Sequence, residues 1–171
     1  FNMKNLKWIL FAVLLVSVAS CGYQFEGGGY INKNVNSVAV RVLKNQSSET
    51  GAGIAFTNAL IQEILQKTDT RVVDELSASA FIEGTVKAIT FATLSRSTTQ
   101  SVLERRVWAA MDLKLINRDG ELIWSVSDFV SYEDYRVSQD KITDEFNKKA
   151  AVEKIAIRIS EKLISKLMNN F

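Results

Sequence analysis

Cys21 is the only thiol in this chain, and the chain contains no histidine. Those two facts remove most reactive constellations: zinc sites built on His or Cys, Cys–His and Ser–His–Asp nucleophiles, and dithiol redox chemistry. Adjacent acids such as Glu133 and Asp134 could transfer protons, but in a polar stretch they read as solvated side chains. Gly27, Gly28 and Gly29 are followed by neither a helix signal nor a Gly-Lys-Ser/Thr ending, so they form no phosphate-binding loop. The expectation is a protein that is not an enzyme and uses no metal or other cofactor. The lone thiol must then have another task.

The residues before Cys21 indicate what that task is. Met3 is followed by Lys4 and Lys7, then by an unbroken apolar run from Trp8 to Val16, and then by small residues up to Ala19 and Ser20; Phe1 and Asn2 stand outside the pattern. This is the layout of an export signal. Its apolar run is too short for a membrane span, which takes about 20 residues. Val18-Ala19-Ser20-Cys21 resembles a bacterial lipobox, in which the signal (residues 1–20) is removed and the cysteine becomes the acylated first residue. A thiolate is the nucleophile that takes up a lipid group, and acyl chains at about 0.8 kcal/mol per buried methylene anchor a protein to a bilayer. Gly22 follows, not the aspartate associated with inner-membrane retention, so the expected destination is the periplasmic side of the outer membrane. Residues 21–34, glycine-rich and without period, read as lipidated terminus and tether.

Without Lys4 and Lys7 the remaining chain has 19 basic and 19 acidic residues. That balance argues against a nucleic-acid partner. Residues 35–171 suit one domain. Alternation at Val38, Val40 and Val42 predicts a first strand, ended by the turn-forming residues 45–48. Over 51–67, Phe56, Leu60 and Ile64 step by four with Ile61 and Leu65 beside them, which predicts an amphipathic helix. A short strand at 70–76 precedes a longer one at 81–91, with Ile82, Val86 and Ala88 on one face and Glu83, Thr85 and Lys87 on the other. Residues 93–101 read as a loop or a mobile strand end. Residues 105–117 alternate cleanly, with Val107, Ala109, Met111, Leu113 and Leu115 opposite Arg106, Trp108, Asp112 and Lys114. Asp119-Gly120 signals a tight hairpin to a strand over 121–130, whose Leu122, Trp124 and Val126 should face the core. A polar loop over 131–141 leads to Thr143, a helix cap with Asp144 and Glu145 against the dipole. Val152, Ile155, Ile159, Leu163 and Leu167 then mark a terminal helix. The predicted class is α+β, a two-layer sandwich with two helices on one face of a mostly antiparallel sheet of four to five strands.

That architecture leaves one sheet face open, carrying Arg106, Trp108 and Lys114; Trp108 and Lys114 are candidate partner contacts. Two basic groups could meet anionic headgroups or phosphorylated sugars: Lys154, Arg158, Lys162 and Lys166, which recur every four residues, and Arg96, Arg105 and Arg106 around the 93–103 loop.

Several stretches in fixed order carry a resemblance: Cys21-Gly22-Tyr23, the strand SVAVRVL, the Thr57-Asn58-Ala59-Leu60 run within FTNALIQEIL, RVVDELSASAFIEGTV, the RVWAAMDLKLINRDGELIW hairpin and the ending LISKLMNNF. Together they resemble the LPS-assembly lipoprotein E (LptE) family, over most of the chain after Cys21. The resemblance implies a non-enzymatic outer-membrane lipoprotein that plugs the lumen of the lipopolysaccharide-translocating β-barrel, assists its assembly and contacts lipopolysaccharide in transit. Only Cys21 carries over as a functional residue. The chain has no proline, whereas members often show one between residues 43 and 47. A rival reading keeps the anchor: the opening strand–helix–strand pattern also looks like periplasmic lipoproteins that activate peptidoglycan synthases or serve secretion complexes.

Overall fold

The structure, a computed structural model, describes residues 28–99 and 101–170. Residues 1–27, with the signal, Cys21 and the first half of the expected tether, lie outside the described residues. The elements in chain order are β1 (Ser37–Val40), β2 (Lys44–Asn45), α1 (Ala52–Lys67), β3 (Arg71–Val72), β4 (Ala80–Arg96), β5 (Val102–Asn117), β6 (Leu122–Arg136) and α2 (Lys141–Met168). Strand β5 is the spine: Val107, Ala109, Met111, Leu113 and Leu115 are all buried, as their alternation predicts. β4 and β6 pair with it antiparallel on either side.

The rest of the sheet differs from the expectation. There are six strands, in the order β3-β1-β4-β5-β6 with β2 also on β4, and β1–β3, β1–β4 and β2–β4 are all parallel. The sheet is therefore mixed. The reason is α1, a crossover that carries the chain back to the end where β1 began, so β3 must run alongside β1. The region 43–52 contains β2, and the Asn45 carboxamide oxygen accepts from the Ser47 backbone N–H at 3.0 Å to close its turn.

The segment read as a loop or strand end opens as strand, and the loop predicted after residue 130 is strand as far as Arg136. β4 runs to Arg96 and β5 starts at Val102, leaving only residues 97–101 as the connection. β6 continues through 131–136, because the polar run alternates: Ser131 and Tyr135 turn inward and are buried, while Tyr132 and Asp134 point outward. Bulges also shift the predicted faces. A bulge between Val86 and Ala88 turns Ile89, rather than Ala88, into the core. Another, at Ile123, turns Leu122 outward to 58% exposure, while Trp124 and Val126 do pack on the core. A third places Asp128 at φ 52. The cap of α2 is Asp140, not Thr143; its carboxylate accepts from the Thr143 backbone N–H at 2.8 Å and from its hydroxyl at 2.7 Å.

Both helices pack on one face of the sheet, forming the two layers expected. α1 contributes Phe56, Leu60 and Ile64, and α2 contributes Val152, Ile155, Ile159, Leu163 and Leu167, all buried. Each such side chain contributes about 1.5–3 kcal/mol when withdrawn from water. Leu65, beside the α1 stripe in sequence, is half exposed. Among the described residues no helix is long and apolar enough to cross a membrane.

Helix α1 is seated by its backbone as well as its side chains. A Cβ on Gly53 would stand 2.4 Å from the Leu43 carbonyl oxygen, so only glycine lets the helix approach the chain leaving β1. One turn later the buried Thr57 hydroxyl accepts from the Leu43 backbone N–H at 2.9 Å and donates to the Gly53 carbonyl at 2.6 Å. We predict that Gly53→Ala destabilises the domain by about 1–3 kcal/mol, although Gly→Ala in a helix ordinarily stabilises. Thr57→Val should cost a similar amount, about 1–3 kcal/mol, by leaving the Leu43 N–H unpaired. Urea unfolding midpoints check both; unchanged midpoints would refute this account of how α1 is seated.

Candidate functional site

No described element covers the second face of the sheet, and strand register decides what it presents. Thr90, Trp108 and Tyr132 form one row across β4, β5 and β6; Ala92, Arg106 and Asp134 form the next, and Ala88, Ala110 and Val130 the row on the other side. Val130 and Tyr132 are about half exposed. Arg106 joins the rows. Its Nε and Nη2 donate to the two Asp134 carboxylate oxygens at 2.6 and 2.8 Å, and its guanidinium lies 4.0 Å from the Tyr132 ring centroid and 5.9 Å from that of Trp108. A fork meeting a carboxylate while stacked on aromatic rings is the geometry arginine serves best. The Arg106 hydrogen bond holds the Asp134 carboxyl below its usual range, and Asp134 raises the guanidinium in turn.

Toward the other end of the face the charges are paired as well. Lys87 lies between Asp128 and Asp112, the latter at 3.8 Å. Arg41 bridges Glu83 and Glu75 and stacks 4.5 Å from the Phe81 ring centroid. Lys114, exposed, stands opposite Glu83 in the register. The result is an extended face with local charge neutrality and aromatic side chains partly open to solvent. It has the composition of a protein-contact surface. Among the described residues no group of three or more His, Cys, Asp or Glu could hold a metal ion.

The candidate residues fall into three places. Trp108, Arg106 and Lys114 lie on the open face. Arg105, adjacent to Arg106 in a strand, necessarily points to the other side, opposite Tyr135, and Arg96 ends β4 opposite Val102. The arginine group therefore does not converge on one spot. The α2 residues Lys154, Arg158, Lys162 and Lys166 do form a single ridge, and it runs along β6. There Arg158 is engaged, its Nη1 2.7 Å from the shielded Glu133 carboxylate and donating to the Tyr132 carbonyl at 2.7 Å. Lys162 reaches the Ser131 hydroxyl at 3.4 Å, Lys154 borders a shallow hollow with Tyr135 and Asn147, and Lys166 lies farther along with Lys162. Tyr132 and Asp134 escape the sequence reading because 131–141 reads as loop, and Val130, at the end of the predicted strand, is not singled out. Its period-two alternation is the signal that identifies them.

The family described as LptE, lipopolysaccharide-assembly, matches residues 35–170. No curated protein matches the chain. Among solved structures, the chain is similar to a lipoprotein B from Nitrosomonas europaea (13% identity, 86% of this chain and 88% of that one, TM-score 0.54). It is similar also to a putative lipoprotein from Caulobacter crescentus (9% identity, 75% and 88%, TM-score 0.53) and to the rare lipoprotein B from Shewanella oneidensis (14% identity, 75% and 94%, TM-score 0.52). At these identities the likeness is one of fold.

A depressed folded-state pKa means that the Arg106–Asp134 pair stabilises the domain above the ordinary aspartate range, about 3.9, and loses that contribution as pH falls through the folded value. We expect the Asp134 carboxyl carbon, followed by NMR, to titrate below a free aspartate and to move up in Arg106→Gln. An unshifted midpoint in the variant would show that Arg106 does not hold it.

Proposed function

This chain belongs to the LptE lipopolysaccharide-assembly family, and we propose that it acts as the lipid-anchored plug of the β-barrel that delivers lipopolysaccharide to the outer leaflet. The family is one of non-enzymatic envelope lipoproteins that associate with components of lipopolysaccharide transport. The finer reading is ours. Residues 1–20 are removed, Cys21 carries the acyl chains, and the residues after it tether the domain on the periplasmic side of the outer membrane; the expected tether of 21–34 is shortened at its end, where Ile31 is buried in the core and its backbone N–H donates to the Thr70 hydroxyl at 2.9 Å.

The observation that carries the plug reading is the open sheet face. The lumen of an outer-membrane barrel is polar and wet, so a surface seated against it should be charge-balanced, and the ion pairs around Arg41, Lys87 and Arg106 balance this one. Trp108 and Tyr132 supply the large side chains that dominate protein contacts, with Lys114 beyond them. Of the four ridge cations, Arg158 is already paired with Glu133 and ties the helix to β6, which leaves Lys154, Lys162 and Lys166 for lipopolysaccharide. Arg96 and Arg105, on the far part of the sheet, would extend contact beyond that ridge.

Tagged chain extracted in detergent from outer membranes should bring down a large β-barrel protein in comparable amount, and intact mass should show an acylated Cys21. Trp108→Ala with Tyr132→Ala should lower that recovery. Recovery of a peptidoglycan synthase in place of a barrel would overturn the plug reading in favour of its rival. For the ridge, combined Lys154→Glu, Lys162→Glu and Lys166→Glu should weaken salt-sensitive lipopolysaccharide binding; unchanged binding would exclude it.

A further inference from the structure

The exposed surface of α2 is divided between two ridges of opposite character. Lys154, Arg158 and Lys162 run along β6, while Glu153, Ile157 and Glu161, each one position earlier, face α1 across a groove of about 490 Å³. The α1 side of this groove carries small residues, Ala55 and Ala59, and the carboxylate of Glu63. Glu63 is the unusual member. It is only 8% exposed, and among the described residues it has neither a hydrogen bond nor an ion pair. Burial, and then the charge of Glu161 across the groove, push its carboxyl up from the ordinary glutamate range; Lys67, one turn on, works weakly against this.

A largely buried glutamate whose unpartnered carboxylate opens only onto the groove holds its charge at a cost, and a second carboxylate facing it adds to that cost. Three acids and no base line the groove, and Lys67, one turn on, offsets their charge only weakly. We propose that this groove receives the lysine side chain of a partner protein, on the side of the molecule away from the open sheet face. An ammonium on a four-carbon stem matches what is there: Ala55, Ala59 and the half-exposed Ile157 give the methylenes an apolar path, and Glu63 meets the charge at the base. A bound metal ion does not fit, because the carboxylates are not gathered closely enough to ligate one. This inference does not depend on which protein the open face meets.

Two measurements test it. Glu63→Gln, which keeps shape and removes charge, should raise the melting temperature of the isolated chain at about pH 8, and the gain should vanish near about pH 4. The sign follows because a raised folded-state pKa leaves the penalty fully present above that value and relieves it as the group protonates. A drop in melting temperature at about pH 8 would show that Glu63 has a stabilising partner within the chain and would overturn the proposal. The second measurement uses the chain as extracted from membranes, treated with a carbodiimide that joins carboxylates directly to amines. Mass spectrometry should find Glu63, Glu153 or Glu161 joined to one reproducible lysine of a second polypeptide, with the yield falling about tenfold in Glu63→Gln, the effect of one charge-assisted contact, and staying unchanged in Asp119→Asn at the hairpin turn. Coupling only to this chain's own Lys67, or equal loss in both variants, would overturn it. The identity of the coupled polypeptide bears on the plug reading, and the coupled carboxylate bears on the groove, so the two fail separately.

Discussion

Val107, Ala109, Met111, Leu113 and Leu115 make an apolar row along one face of β5, and a row of that length can leave water only under an equally long apolar surface. The long α2 supplies most of it through Val152, Ile155, Ile159, Leu163 and Leu167, and α1 adds Phe56, Leu60 and Ile64. The other features follow from this one-sided burial. With both helices on one face, the alternate residues of the same strands are left facing outward, so the structure that secures the core also creates an open sheet. The outward positions are then free to carry polar and aromatic side chains, since none is needed for the core.

Two strategies keep that open face soluble and specific. Its charges are matched locally, as in Arg106 with Asp134 and Lys87 with Asp112 and Asp128, so the face has no strong field of either sign. Its long edge strand β6 is protected: the bulge at Asp128 twists it, and Arg158 of α2 caps the Tyr132 carbonyl, which discourages pairing with another strand. The same Arg158 removes one cation from the basic ridge. Structure thus takes up part of what looks in the sequence like a uniform anion-binding stripe.

The helix layer makes the opposite choice. Where the sheet pairs its charges, the groove between α1 and α2 leaves Glu63 largely buried, facing Glu161 and, among the described residues, without a hydrogen bond or ion pair. A protein under selection for stability alone would have lost such a carboxylate, and places where a fold departs from its own rules are where function is expected. The molecule therefore has two different surfaces, a neutral aromatic face and an acidic groove, on opposite layers. An adaptor in an assembly needs more than one such surface.

Much of this was legible from residues alone. The absence of histidine and the single cysteine remove zinc sites built on His or Cys and Cys–His or Ser–His–Asp nucleophiles, and the periods of two and near four place β5, α1 and α2 with their core faces, because burial selects apolar side chains at those spacings. The Thr57 in the Thr-Asn-Ala-Leu run could be quoted as a family feature, but its reason, a hydroxyl bridging Leu43 and Gly53, is a contact between segments. The rest waited on tertiary structure for the same reason. Whether 131–136 is loop or strand depends on β5 lying beside it, and bulges that move Leu122 outward and Ile89 inward arise from register between strands. Whether Arg158 is engaged and why Glu63 is buried are settled by what lies across from each. A sequence sets the period of a surface, but the neighbour brought against it by the fold decides whether a given charge ends paired, exposed or stranded.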